Sequence, residues 1–332
     1  MKKHILVVGG AGYIGSHMTQ LLLDTGYDVT VLDDLSSGHE WAVPSEAKLI
    51  SRNIAETDFL VKALTDMKVD AVMHFASFIQ VCESVKDPAK YYYNNVTNTL
   101  KLLNAMIGVN VNKFIFSSTA ATFGNPQYVP IDEKHEQIPI NPYGRSKLMI
   151  EQILKDYDLA YGVKSVVLRY FNAAGAHPAG NIGEAHDPET HLIPLVLRAA
   201  EGKGAIKVFG DDYETSDGTC IRDYIHVCDL CEAHLLALQH LLNGGSSDSF
   251  NLGTKTGISV MEVIKAVERV TGKTVPFEVV GRRDGDPAIL VADSTKAQRV
   301  LGWEPQYRSI DVIVQHAWKW EKTRRTQHAL DR

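Results

Sequence analysis

Short, uninterrupted apolar runs recur along the first half of the chain. Residues 5–8 are Ile-Leu-Val-Val, and 28–32, 69–76, 113–118 and 165–170 are also rich in Val, Ile, Phe and other apolar residues. Runs of about four to eight residues with this composition are typical of strands buried on both faces, as in a parallel sheet. We therefore predict five strands at these positions.

Segments with a helical spacing of apolar residues lie between these runs. The predicted helices cover 16–25, 91–109 and 143–157, and the first ends at Gly26. Strands that alternate with helices form a parallel, doubly wound sheet of the Rossmann type. We predict an α/β fold in which residues 1–172 form a dinucleotide-binding domain.

The second half of the chain has a more mixed pattern. Residues 173–332 predict a smaller, mixed α/β domain that binds the substrate. Within it, 222–242 has the pattern of a strand followed by a helix and is a candidate to return to the first domain. The segment 181–189 is rich in Gly, Pro and acidic residues, and we expect it to be a mobile loop over the substrate.

A glycine-rich loop follows the first predicted strand. Gly9, Gly12 and Gly15 stand between that strand and the first helix, and Asp33 closes the second strand. Glycines let the backbone approach a pyrophosphate, the helix N-terminus faces its negative charge, and an acidic residue about 20 positions further on accepts the ribose hydroxyls. Because a carboxylate repels a 2′-phosphate, the loop predicts NAD rather than NADP.

Tyr143 and Lys147 stand four residues apart at the start of a predicted helix. Asn141 is a favourable N-cap and Pro142 a favourable first helical residue, and side chains four apart share one face of a helix. A Tyr phenol has a pKa of about 10, and lowering it to about 7 requires roughly 4 kcal/mol. A neighbouring Lys ammonium favours the phenolate, so the pair predicts a tyrosine base.

Composition and charge exclude several classes of function. The 332 residues are 45% hydrophobic and 22% charged, with a net charge of −6, which does not favour nucleic-acid binding.

No stretch is long enough to span a membrane, and the N-terminal apolar run is too short for a signal peptide, so we expect a cytoplasmic protein. Cys228 and Cys231 have zinc-ligand spacing but no second ligand pair at finger spacing, so we expect no metal site.

The glycine loop, a hydroxyl after the fourth predicted strand and Tyr-x-x-x-Lys together resemble the extended short-chain dehydrogenase/reductase superfamily. Within it, the chain resembles the UDP-glucose (UDP-galactose) 4-epimerase family over nearly its whole length. The motifs that carry the resemblance are residues 9–17, 74–76, 92–96, 114–119, 169–172, 217–219, 222–227 and 282–286. The last three are the most specific, because they are typical of nucleotide-sugar enzymes.

The resemblance implies a role for each matching residue. Tyr143 is the implied base, Lys147 lowers its pKa and binds the nicotinamide ribose, and Thr119 hydrogen-bonds the sugar 4-hydroxyl. The positions implied to contact NAD are Gly9, Gly12, Tyr13, Ile14, Gly15, Asp33, Asn53, Ile54, Phe75, Ala76, Asn94, Lys147 and Phe171. Those implied to contact the UDP-sugar are Thr119, Tyr143, Asn172, His191, Leu192, Phe209, Arg222, Arg283, Asp286 and Leu290.

Two further expectations accompany these roles. Guanidinium groups pair bidentately with phosphate, so Arg222 and Arg283 suit the diphosphate, and Asp286 suits the uridine ribose. The resemblance also implies a homodimer in which helices 91–109 and 143–157 pair with those of a second copy.

Three positions depart from the family pattern. Asn53 replaces a frequent Asp near the adenine, and its amide oxygen can still accept a hydrogen bond. Ile79 replaces a Lys that some members carry near the cofactor phosphates, so a charged contact is absent there. Leu290 stands where members restricted to glucose and galactose have Tyr, and the smaller side chain leaves room beside C2 of the sugar. We therefore expect turnover of UDP-N-acetylhexosamines as well.

The implied reaction inverts C4 of a UDP-sugar through a transient 4-keto intermediate, with no net oxidation. A 4,6-dehydratase needs carboxylates just after Thr119, where Ala120, Ala121 and Thr122 stand, and a glucuronate decarboxylase needs a nearby Glu that is also absent. A 4-epimerase of UDP-glucuronate or a UDP-pentose remains an alternative. A catalytically silent NAD(H)-binding protein is an alternative of another class, which the presence of all three implied catalytic residues disfavours.

Overall fold

Strands and helices alternate along the chain, of which this computed structural model describes residues 2–283 and 285–330. The strands are β1 (His4–Val8), β2 (Asp28–Asp33), β3 (Lys48–Ser51), β4 (Ala71–His74), β5 (Lys113–Thr119), β6 (Lys164–Tyr170), β7 (Asn172–Ala174), β8 (Ile206–Phe209), β9 (Ile221–His226), β10 (Asp248–Leu252), β11 (Gly257–Ser259), β12 (Phe277–Val280) and β13 (Ile289–Leu290). The α-helices are α1 (Tyr13–Asp24), α2 (Thr57–Met67), α3 (Val81–Lys86), α4 (Pro88–Tyr91), α5 (Asn98–Gly108), α6 (Pro142–Tyr161), α7 (Leu192–Ala200), α8 (Val227–Leu242), α9 (Val260–Thr271), α10 (Thr295–Leu301) and α11 (Ile310–Leu330).

A seven-stranded parallel sheet lies at the centre of the fold. Its strand order is β10-β6-β5-β4-β1-β2-β3, and every neighbouring pair runs parallel. The predicted doubly wound α/β fold is confirmed, and the five predicted strands correspond to β1, β2, β4, β5 and β6. The strand order reverses between β1 and β4, and in such sheets ligands bind beyond the carboxyl ends of the strands at this reversal.

The apolar run of β1 is explained by burial on both faces of the sheet. Ile5 and Val7 belong to one core, under α1 and α8, whereas Leu6 and Val8 belong to the opposite core, under α2, α5 and α6. Successive side chains of a strand point to opposite faces, so a strand between two helical layers is apolar at every position.

The chain returns to the large sheet late in the sequence. Helix α8 packs on α1, β10 extends the sheet beside β6, and the fully buried Trp303 after α10 joins the same core. The indole N–H of Trp303 donates to the carbonyl oxygen of Asp229 at 2.9 Å. The division at residue 172 therefore stays a prediction about folding units, because parts of 173–332 complete the first sheet.

The remaining elements form a smaller mixed unit. β9 pairs in parallel with β7 and β13 and antiparallel with β11, and β8 pairs in parallel with β12. A third core lies among α7, α9 and α11. Among the helices described, none has both the length and the apolar composition needed to cross a membrane.

Candidate active site

A cavity of about 570 Å³ opens beyond the carboxyl ends of β1, β4 and β5 and reaches the smaller sheet. Most of the predicted site residues line it, namely Gly9, Gly12, Tyr13, Ile14, Gly15, Asp33, Asn53, Ile54, Phe75, Ala76, Asn94, Thr119, Tyr143, Phe171, Asn172, His191, Asp286 and Leu290. The predicted residues outside its lining are Lys147, Leu192, Phe209, Arg222 and Arg283. One cavity thus brings together residues implied to contact the cofactor and residues implied to contact the sugar.

Close backbone packing explains two glycines of the loop after β1. A Cβ atom at Gly15 would lie 2.0 Å from the carbonyl oxygen of Gly9, and a Cβ atom at Gly9 would lie 2.4 Å from the amide nitrogen of Ala76. Gly9 also has a φ of +82°, which side chains rarely tolerate. Helix α1 begins directly after Gly12. The loop therefore presents bare backbone and a helix N-terminus to the cavity, as a pyrophosphate requires.

Asp33 closes the loop from the end of β2. Its Oδ2 atom accepts a hydrogen bond from the amide of Ala11 and its Oδ1 atom one from the amide of Leu35, each at 2.9 Å. Burial raises the pKa of the Asp33 carboxyl, although these amides oppose the effect. A carboxylate offers about four acceptor sites, so Asp33 can hold the loop and still accept ribose hydroxyls.

Asn53 takes part in a short local network just after β3. Its Nδ2 atom donates to Asp34 Oδ2 at 2.6 Å, and its Oδ1 atom accepts from the amide of Ala55 at 2.8 Å. One acceptor site of the amide oxygen is therefore already used, which the sequence did not indicate. Ile79 lies at the edge of the cavity and is 39% exposed. The bare loop, Asp33 and this apolar edge fit a dinucleotide such as NAD.

Helix α6 begins where the sequence predicted. The side chain of Asn141 accepts a hydrogen bond from the amide of Gly144 at 2.8 Å, and Pro142 is the first helical residue. The helix ends at Tyr161 and is capped by Gly162, which has a φ of +70°. A Cβ atom at Gly144 would lie 2.3 Å from the carbonyl oxygen of Ala121, so α6 packs tightly against the turn that follows β5.

This packing places Tyr143 beside Thr119. Thr119 is 8% exposed at the end of β5, and its Oγ1 atom accepts a hydrogen bond from the amide of Ala121 at 3.1 Å. One turn along α6, Lys147 Nζ donates to the carbonyl oxygen of Ser117 at 2.8 Å and lies 5.0 Å from the ring centre of Phe116. The implied catalytic residues therefore converge, with Lys147 behind the cavity wall.

Burial dominates the ionisation of the Tyr143–Lys147 pair. It raises the pKa of Tyr143, with a hydrogen bond from Thr119 opposing it, and it lowers the pKa of Lys147 to about 7, with Glu151 opposing it. In the chain alone, Lys147 does not lower the pKa of Tyr143 as expected. The physical reason is that Lys147 is directed to the Ser117 carbonyl and that desolvation acts on both groups.

A buried ionic network that the sequence analysis missed lies beneath this pair. Glu151 is one turn beyond Lys147 on α6, and it accepts hydrogen bonds from Ser118 Oγ at 2.5 Å, Arg169 Nη2 at 2.6 Å and Gln137 Nε2 at 3.0 Å. The side chains of Arg169 and Glu151 are only 4% and 2% exposed. The four-residue spacing between Lys147 and Glu151, which places both on one face of α6, could have indicated this network. The network ties α6 to β5 and β6, next to the implied catalytic residues.

Asn95, next to the predicted Asn94, links two segments near Tyr143. Between α4 and α5 the backbone forms a π-helix over Tyr92–Thr97, a feature often found at functional sites. Asn95 bonds both the amide and the carbonyl of Phe78, at 2.9 and 3.0 Å, and donates to Ser146 Oγ at 3.1 Å. It therefore joins the loop after β4 to α6, three residues from Tyr143.

Four of the residues predicted to contact the UDP-sugar form two pairs of side chains. Arg222 Nη2 makes an ion pair with Asp286, and the guanidinium carbon of Arg283 lies 3.8 Å from the ring centre of Phe209. Leu290 is the register partner of Arg222 between β13 and β9. The resemblance implies that Arg222 contacts the diphosphate and Asp286 the ribose, whereas in the chain alone the two charges compensate each other.

The segment 181–189, expected to cover the substrate, lies at the edge of the cavity. The carbonyl oxygen of Glu184 accepts from Trp320 Nε1 and that of Ala185 from His39 Nε2, each at 2.8 Å. His191 Nδ1 lies 2.7 Å from Glu184 Oε1. Burial acts against both charged forms, but their attraction holds the pKa of Glu184 below and that of His191 above its usual value. The mobility of the segment stays a prediction.

Comparisons with known proteins agree with this geometry. A model of the NAD dependent epimerase/dehydratase family matches residues 5–253. The chain belongs to this family. A UDP-glucose 4-epimerase of Lactobacillus helveticus is 52% identical over 320 residues, which are 96% of this chain and 97% of that protein.

Solved structures of the family have the same fold. The UDP-glucose 4-epimerase from Brucella ovis in complex with NAD shares 48% identity at a TM-score of 0.93, over 95% of this chain and 97% of that one. The UDP-Glc/GlcNAc 4-epimerase from Campylobacter jejuni shares 43% identity at a TM-score of 0.85, over 97% and 99%. The predicted family and its cofactor, NAD, are therefore confirmed for this member, while the roles of individual residues remain proposals.

Proposed function

We propose that this family member is an NAD-dependent UDP-glucose 4-epimerase, which interconverts UDP-glucose and UDP-galactose through a transient 4-keto sugar. The observation that carries the proposal is the convergence of Thr119 and Tyr143 on one wall of the cavity, with Lys147 behind them. Identity of 52% to a UDP-glucose 4-epimerase supports it. Neither the alternative sugars nor a silent binding protein receives comparable support.

In this proposal Tyr143 is the base that removes the proton of the sugar 4-hydroxyl and later returns it. Thr119 orients that hydroxyl, since its Oγ1 atom is fixed by the amide of Ala121. NAD+, which the glycine loop and Asp33 would hold, would supply the acceptor for the C4 hydride and a positive charge in the site. The buried Tyr143 needs that charge and Lys147 together, because burial alone raises the pKa of its phenol.

The UDP end of the substrate is proposed to separate the Arg222–Asp286 ion pair. Arg222 would then bind the diphosphate and Asp286 the ribose hydroxyls, which replaces one charged contact with two. Arg283 and Phe209, already stacked, would extend the same surface. A firmly held UDP leaves the hexose free to turn, and the planar 4-keto carbon must present both faces to the hydride.

The proposed substrate range includes UDP-N-acetylhexosamines. Leu290 lines the cavity and is smaller than the Tyr implied for members restricted to glucose and galactose. The similar Campylobacter jejuni protein is a UDP-Glc/GlcNAc 4-epimerase, which supports this range. Proton NMR with UDP-GlcNAc would show a UDP-GalNAc signal, and absence of that signal with an active enzyme would restrict the range to the hexoses.

A homodimer in the cytoplasm is also proposed. Tyr93 and Met149, on the two segments expected to pair between copies, are 57% and 40% exposed despite their apolar character. The cysteines described, Cys82, Cys220, Cys228 and Cys231, are all unpaired, which is usual in a reducing compartment. Sedimentation equilibrium tests the dimer, and a concentration-independent monomer mass would reject it.

The proposed activity is tested by proton NMR of the purified protein with UDP-glucose and catalytic NAD, without added reductant. We expect the anomeric signal of UDP-galactose to grow until both sugars are at equilibrium. A stable keto sugar or a 6-deoxy product would instead assign a dehydratase.

The variant Tyr143→Phe separates catalysis from cofactor binding. It removes the hydroxyl but keeps the ring, so we expect retained NAD binding and loss of turnover by more than about 100-fold, the usual contribution of a general base. Turnover within a few-fold of the wild type would show that another group is the base.

A further inference from the structure

Four side chains that can ligate a metal ion converge on the segment between β7 and α7. They are Glu184, His186, Glu189 and His191, and their ligating atoms all lie within 4.8 Å of one another. The spacing is Glu-x-His-x-x-Glu-x-His, so a single short segment supplies the whole set. From the sequence no metal site was expected, because only the Cys228–Cys231 pair was considered and it has no second ligand pair at finger spacing.

Both imidazoles contact the carboxylates of this set through their Nδ1 atoms. Nδ1 of His186 lies 3.0 Å and Nδ1 of His191 lies 2.7 Å from Glu184 Oε1, and Nδ1 of His191 lies 2.9 Å from Glu189 Oε1. Four ligands of a tetrahedral zinc ion at about 2.0–2.2 Å are separated from one another by about 3.3–3.6 Å. The ligating atoms are therefore spaced so that small movements could enclose an ion.

A second observation points independently to a cation at this place. The side chain of Glu189 is only 1% exposed, and its Oε2 atom is buried with no hydrogen-bond partner. A buried carboxylate oxygen without a partner is unfavourable, because it has lost the hydrogen bonds of water. A divalent cation beside Glu184 and Glu189 would coordinate that oxygen and balance both negative charges at once.

We propose that Glu184, His186, Glu189 and His191 bind one divalent transition-metal ion, Zn²⁺. The two imidazoles favour Zn²⁺ over Mg²⁺ or Ca²⁺, which prefer oxygen ligands. Four protein ligands fill a tetrahedral site and leave no position open for catalysis, so the ion is structural.

The ion holds residues 184–191 in place beside the cavity. Glu184, His186 and His191 line the cavity, and α7 begins directly after His191. Two carbonyls of the segment are already held, by Trp320 and His39, so the backbone needs little further ordering. This inference does not rest on the proposed epimerase activity, and its test does not use turnover.

The test starts with purified full-length protein that has been stripped by a chelator and retains its circular dichroism spectrum. It is titrated with Co²⁺, whose tetrahedral complexes absorb visible light, and with Zn²⁺ by calorimetry. We expect one equivalent per chain, and Glu189→Gln and His186→Asn should each weaken Zn²⁺ binding by more than about 100-fold. Cys228→Ser is the matched control, because it removes a possible ligand of the Cys228–Cys231 pair, and it should bind as the wild type does.

A second readout follows the segment itself. Hydrogen exchange of the amides of 181–191 should slow when Zn²⁺ binds the wild type and should not change in Glu189→Gln. Absence of stoichiometric binding in the wild type overturns the proposal, and this measurement requires no variant. Binding that survives both ligand substitutions, or that is lost in Cys228→Ser, places the ion elsewhere and overturns it as well.

Discussion

Replacing Glu151 by Gln removes the negative charge from the buried network beneath Lys147 and Tyr143. The change conserves volume, and an amide oxygen can still accept the hydrogen bond of Ser118. What is lost is the charge that faces Arg169, whose side chain is 4% exposed. Nη1 of Arg169 already lacks a partner in the structure, so the guanidinium has no obvious replacement for the carboxylate.

The expected loss of stability follows from this burial. Removing one partner of a buried ion pair costs about 3–5 kcal/mol, because an uncompensated charge remains. Whole domains are stable by about 5–15 kcal/mol, so Glu151→Gln should remove a large share of the total. Asp311→Asn is the matched control: Asp311 pairs with Arg269, but these side chains are 45% and 55% exposed, and such exposed pairs contribute little to stability.

Urea unfolding of the wild type, Glu151→Gln, Asp311→Asn and the double variant Glu151→Gln/Arg169→Met measures these differences. The double variant should recover part of the lost stability, because it also removes the guanidinium that Glu151→Gln leaves without a counter-charge. A loss below about 1 kcal/mol for Glu151→Gln, equal to that of the exposed control, would refute the reasoning. It would show that water reaches Arg169 and screens its charge.

The remaining predictions use equally local changes. Burial lowers the pKa of Lys147 to about 7, so between that pH and about 10 the unfolded chain binds the extra proton. The free energy of unfolding of the wild type relative to Lys147→Met should therefore rise with pH, by at most about 1.4 kcal/mol per pH unit, and a flat difference would contradict the pKa. Gly15→Ala should abolish NAD binding measured by fluorescence, because its Cβ atom would meet the Gly9 carbonyl at 2.0 Å, whereas Gly108→Ala has no neighbouring atom within 4 Å and should bind normally. Leu290→Tyr should suppress UDP-GlcNAc turnover and spare UDP-glucose in an NMR assay, and equal losses on both sugars would count against the pocket argument.

Most of the correct predictions from the sequence depend on residues that are close together along the chain. The run of β1 is apolar at every position because both faces of the strand are covered, and this pattern is visible in residues 5–8 alone. The start of α6 was predictable because Asn141 and Pro142 act within one helical turn. The glycine loop was predictable because its steric requirement falls on Gly9 and Gly15.

Features that depend on residues far apart in the sequence were not predictable in this way. Arg222 and Asp286 each have a residue type suited to a ligand, and nothing in their local sequence shows that they pair. The direction of the Lys147 pKa depends on desolvation by the assembled fold. Asn94 and Asn95 are adjacent and chemically identical, and only the π-helical backbone determines that Asn95 joins the loop after β4 to α6.

The position of β10 at the edge of the large sheet has a consequence for how the chain folds during synthesis. Among the strands that the structure describes, β10 pairs only with β6, and residues 171–247 are translated between them. Until Leu252 has left the ribosome, the backbone groups of β6 form an open edge to which strands of other nascent chains can add. We expect a fragment that ends at residue 172 to aggregate for this reason, and addition of a chaperone that shields unpaired strands to delay it.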